Sequence, residues 1–143
     1  MNPIVEILGT LFNSIFVLIA AYGAIKQKKD LLLFGICFFF ISPVIIGLIA
    51  YAQDDNILHL FVIMVFLGQV ILTLPSYLRY NYKNKAAIAL SNRIGCAILV
   101  INLFQGYLLL NNYLDVPHQF GYMHLVIALI MLYSVLRSGK EKI

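Results

Sequence analysis

Tryptophan is missing from this chain, and charge is scarce: only 11% of its 143 residues are Asp, Glu, Lys or Arg, against roughly 25% in a soluble domain. Too few charges remain to cover a water-exposed surface, so a soluble globular fold is excluded. The two cysteines, Cys37 and Cys96, lack the C-x-x-C spacing of a redox pair or a zinc site. There is no nucleophile elbow, no phosphate-cradling glycine loop and no H-E-x-x-H sequence. No pair of carboxylates falls inside an apolar stretch, where acid–base work in a membrane would need one. The expectation is therefore a protein that is not an enzyme, with no catalytic residues to assign.

What the chain does have is long apolar runs. Hydrophobic residues make up 62% of it, and they gather in five segments, Ile4–Ile25, Leu31–Tyr51, Ile57–Leu78, Ala86–Leu110 and Phe120–Leu136. A helix needs about 20 apolar residues to cross the hydrocarbon core, and only helices or closed barrels satisfy their backbone there. Apolar runs without two-residue alternation exclude a barrel. The predicted fold class is all-α, a polytopic membrane protein that forms one integral domain over residues 1–143, a five-helix transmembrane bundle.

Orientation follows from the charges between segments. Lys26, Lys28 and Lys29 follow the first, Arg79, Lys83 and Lys85 lie between the third and fourth, and Arg137, Lys140 and Lys142 follow the fifth; Arg93 marks a second place where the fourth span could start, after a basic turn running on from Arg79. Asp54 and Asp55 follow the second, and Asp115 the fourth. Basic loops are held on the cytoplasmic side, which places the N-terminus outside and the C-terminus in the cytoplasm. The net charge of +4 thus reads as topology and attraction to anionic lipid, not as affinity for nucleic acid. The first segment has no basic stretch before it and reads as an uncleaved anchor. A bacterial inner (plasma) membrane is the expected location. Cys37 and Cys96 fall in the inner half of the membrane and are expected as packed thiols without a disulfide.

Counting about 1.5 Å per residue from the inner charges puts Asn13, Ser14, Ser42, Gln69 and Asn102 near mid-depth, with Thr73 and Gln105 one turn from Gln69 and Asn102. Amides and hydroxyls facing lipid are unfavourable, so these groups are expected to turn inward and bond one another, or to line a neutral binding site. Glu6, Thr10 and Asn13 share one face of the first helix and are expected to pack against the fourth, beside Asn102 and Gln105. Pro43 and Pro75 are expected to bend the second and third spans. Ala20 and Ala24, with Gly23 between them, form a small-residue face suited to close helix approach, within the bundle or between protomers.

All three histidines, His59, His118 and His124, are placed toward the outer surface with the acids Glu6, Asp54, Asp55 and Asp115. Imidazoles with carboxylates suit Zn²⁺ or Cu²⁺ where three or four converge, and His59 with His124 could hold a haem iron. The plainer reading is that acids and neutral imidazoles collect where Lys and Arg are excluded, so no cofactor is expected. Three functions follow from this inventory. The first is a non-catalytic subunit of a larger membrane complex or homo-oligomer, with lipid, other membrane subunits or a second copy as partners. The second is a small transporter or channel for a neutral or polar solute, using the mid-depth layer. The third is a metal- or haem-binding membrane protein.

Overall fold

The computed structural model describes residues 3–74, 85–113 and 116–138, apart from the side chains of Val5 and of residues 85–91. They form five helices, α1 (Pro3–Ile25), α2 (Lys29–Asp54), α3 (Ile57–Thr73), α4 (Lys85–Leu110) and α5 (His118–Ser138). Four of them are long and apolar enough to cross a membrane, and α3 is the exception at 17 residues, about 25 Å. α1 starts on Pro3, whose missing N–H is no loss at a first helical position. α2 runs unbroken through Pro43. α3 ends where Leu74 turns to an extended ψ of 122°, as the residue before a proline prefers; Pro75 itself lies outside the described residues. α4 is already helical at Lys85, so the link before it is shorter than a turn extending to Arg93 would be.

The helix ends show why the links can be short. Gln27 and Asn112 both adopt left-handed φ, 56° and 59°. After α1, Lys28 N–H bonds Gly23 O at 2.8 Å; after α4, Tyr113 N–H bonds Leu108 O at 3.1 Å. These are Schellman closures, which reverse the chain while satisfying terminal carbonyls. Between α2 and α3, Asp55 takes φ 52°, and the Asn56 side chain caps α3 by accepting from Leu58 N–H at 3.0 Å.

α1 packs on α2, α2 on α3, α4 on α5, and α1 closes on α5. Late α1 meets early α2: a Cβ on Gly23 would lie 2.3 Å from the backbone nitrogen of Leu32. Gly47, late in α2, faces Ile63, early in α3, and Gly95, early in α4, faces Val135, late in α5. Those neighbours are antiparallel. α1 and α5 are parallel, because Gln119 reaches Glu6 at their first turns and Arg137 reaches the Ile25 carbonyl at their last. Among the described residues, α3 and α4 barely approach each other backbone to backbone and meet through side chains, as Gln69 meets Asn102.

Ala20 and Ala24 are buried inside this bundle, at 0% and 6% exposure. A Cβ on Gly35 of α2 would lie 2.5 Å from the Ala20 nitrogen. The small-residue face therefore brings α1 and α2 together and is not available to a second protomer. The core continues through Ile36, Phe39, Phe40, Ile98 and Ile127. Outside it, large apolar side chains point away from the bundle: Leu18 is 69% exposed, Met64 70% and Phe104 60%. A contiguous apolar exterior of this kind fits lipid and not water.

Candidate functional site

The mid-depth polar residues separate into two clusters. The larger one joins α3, α4 and α5. Asn102 is fully buried, and its Nδ2 donates to Gln69 Oε1 at 2.9 Å and to the Ile98 carbonyl at 2.8 Å. Gln69 Nε2 donates in turn to Gln105 Oε1 at 3.3 Å. The remaining atom of Asn102, Oδ1, lies 2.7 Å from His124 Nδ1. Since both other partners of Asn102 are acceptors, its oxygen must face the imidazole, and His124 must donate from Nδ1. Thr73 turns its hydroxyl back to the Gln69 carbonyl of its own helix at 2.7 Å.

His124 is only 3% exposed. Phe39 meets it edge-on at 5.1 Å between centroids, Phe40 stacks at 6.4 Å, and Phe66 lies at 5.7 Å. His124, expected toward the outer surface, is thus an interior member of the amide network. It sits on the buried stripe of α5 with Gly121 and Ala128, a helical spacing that the sequence contained.

The smaller cluster links α1 and α2. Asn13 Nδ2 donates to Ser42 Oγ at 3.3 Å, while Ser14 is half-buried beside it. Glu6 accepts from Gln119 of α5 at 2.6 Å. The polar stripe of α1 therefore turns toward α2 and α5, not toward Asn102 and Gln105 of α4, because α1 packs between those two helices.

His59 pairs with Asp54 at 2.9 Å, and His118 with Asn112 at 2.7 Å. The three imidazoles do not converge, and among the described residues no group of three His, Cys, Asp or Glu could hold a metal ion. Asp55 is exposed, and Asp115 lies outside the described residues. Cys37 is buried, Cys96 is exposed, and both are free.

Toward the end of the bundle holding Lys29 and Ser138, described residues of α2, α3, α4 and α5 line an open cavity of about 80 Å³. Leu32, Leu72, Ile98 and Met131 line it together with Asn92 and Ser134. Ile98 is one turn from Asn102, so the cavity lies next to the polar network along the α3–α4 side. Chemically the network offers neutral donors and acceptors already engaged with one another. It can tie helices together, and it places no free nucleophile beside a base.

No protein-family model, curated protein or solved structure matches this chain.

Proposed function

We propose that this chain is a non-catalytic subunit of a larger membrane assembly, crossing the membrane five times with its N-terminus outside and its C-terminus in the cytoplasm. The parallel course of α1 and α5 supports the odd count, and α3 descends along α2 from Gly47 at least to Cys37, whose Sγ contacts the Val70 carbonyl. The distribution of Lys and Arg supports the orientation and suits the plasma membrane of a bacterium.

The observation that carries the subunit reading is the incomplete α3–α4 side. Among the described residues, the backbone of α3 packs chiefly on α2 and that of α4 on α5. The amides of Gln69, Asn102 and Gln105 bridge them. This is where a helix of another subunit, or of a second copy, completes the packing. The test is a photo-crosslinking residue at Met64 or Phe104, on the exposed faces of α3 and α4, with Leu18 on α1 as control. The proposal expects a protein adduct in native membranes from the α3 and α4 positions and lipid adducts alone from Leu18. Lipid adducts alone from all three contradict it.

The cavity beside the network favours a second reading, passage of a small neutral solute along the α3–α4 side with the amides as its barrier. That reading expects Gln69→Leu and Asn102→Leu to abolish flux in a protein that still folds. Unchanged flux in both removes the network from any transport mechanism.

A further inference from the structure

The two polar clusters differ in one respect. In the α3–α4–α5 network each amide finds partners, whereas in the α1–α2 cluster two buried oxygens find none: Thr10 Oγ1 and Asn13 Oδ1 have no hydrogen-bond partner among the described residues. Asn13 is 2% exposed. Its other amide atom reaches Ser42 Oγ at 3.3 Å, so turning the amide over only exchanges which end is left alone. A carbonyl oxygen held dry and unpaired at this depth is strongly unfavourable.

We propose that Thr10 and Asn13 form a binding site for one ordered water molecule, which donates to Asn13 Oδ1 and bonds the Thr10 hydroxyl. The spacing fits. Residues three apart on a helix are surface neighbours, about 5–6 Å apart at Cβ, and side chains that close are routinely bridged by one water. The Ser42 hydroxyl, which accepts from Asn13, still has its own hydrogen to give and supplies a third partner within the two to four that a buried water takes. Glu6 lies one turn before Thr10 on the same stripe and is hydrogen-bonded to Gln119 at 2.6 Å. The stripe therefore leads from a charged helix end down to the site and offers water a polar route to it. The ligand class is limited to water or a donor of its size, because Asn13 is 2% exposed on a helix packed against both α2 and α5.

The test is water-edited solid-state NMR on the full chain in lipid bilayers, with asparagine side chains labelled. Asn102 is the internal control, being equally buried but fully engaged with protein partners. The site predicts that magnetisation from water reaches the Asn13 carboxamide several-fold faster than that of Asn102. It also predicts that Thr10→Val, which keeps the side-chain shape, slows the Asn13 build-up toward the Asn102 rate. Loss of the Asn13 resonance in Asn13→Leu fixes its assignment. Equal, slow build-up at both asparagines in the unaltered chain overturns the proposal. Fast build-up at Asn13 that Thr10→Val leaves unchanged overturns the two-residue site.

Discussion

Replacing Asn102 with leucine tests whether buried amides hold α3 and α4 in place. Asn102 makes two bonds to other helices, to Gln69 at 2.9 Å and to His124 at 2.7 Å. Interhelical hydrogen bonds in bilayers contribute about 0.6–1.7 kcal/mol each. The leucine also leaves Gln69 Oε1 and the His124 Nδ1–H without their partner, and a stranded buried group costs about 1–3 kcal/mol. Some of that is recovered by rearrangement, so a net loss of about 2–4 kcal/mol is expected. Gln105→Leu removes one bond of 3.3 Å and leaves the buried Gln69 Nε2 without that partner, so a smaller loss of about 1–2 kcal/mol is expected. Steric trapping in bicelles measures both. The triple variant Gln69→Leu/Asn102→Leu/His124→Phe is the sharper arm, because it removes the stranded groups along with their partner. It should be less destabilised than the sum of its three single variants. Strict additivity to within about 0.5 kcal/mol, or an Asn102→Leu protein as stable as the unaltered one, would refute the reasoning.

Gly35→Ala should prevent stable accumulation of the protein, because its Cβ meets α1 backbone at 2.5 Å, whereas Gly68→Ala, with nothing within 4 Å, should be neutral or stabilise by up to about 1 kcal/mol through helix propensity. Expression level and trapping stability separate the two, and equal effects would contradict the α1–α2 packing. Arg137 donates to the Ile25 carbonyl at 3.2 Å and to the Tyr133 hydroxyl, and the Gln27 amide, with its oxygen toward the guanidinium, accepts from Arg137 Nε at 2.7 Å. Arg137→Ala should therefore raise hydrogen exchange at the last turn of α1, and Arg137→Lys should restore it only in part, since lysine lacks the planar fork; unchanged exchange in Arg137→Ala would show that this end cap does not matter. Cys96 should react with a lipid-soluble maleimide well before buried Cys37, and equal rates would contradict the packing of α2.

The helices were legible in the sequence because each is a long apolar run bounded by charges, and their observed limits lie within a few residues of those runs. The association of Gln69, Asn102 and Gln105 was legible too. Depth is a linear function of residue number in a helix, and amides at equal depth in a bilayer seek each other. Direction around the helix axis was less so. His124 was assigned by counting from the acidic end, yet α5 begins at His118 and the ring points inward between Phe39, Phe40 and Phe66. Only the position of α2 and α3 around α5 decides that, and lateral order leaves no mark in a hydropathy pattern. The same gap put the Glu6 stripe against the wrong helix. For Ala20 and Ala24 the sequence left two partners open, a helix of the bundle or a second protomer, because Gly35, which meets Ala20, is a single small residue in a helix of mostly large ones.

The most direct measurement is native mass spectrometry of the protein, expressed at its endogenous level and extracted in mild detergent. The account predicts that the chain leaves the membrane with a stoichiometric partner, another subunit or a second copy, and that bulky polar substitutions at Met64 and Phe104 disperse it. A lone monomer that remains folded and intact under these conditions would contradict the reading of the α3–α4 side as an interface.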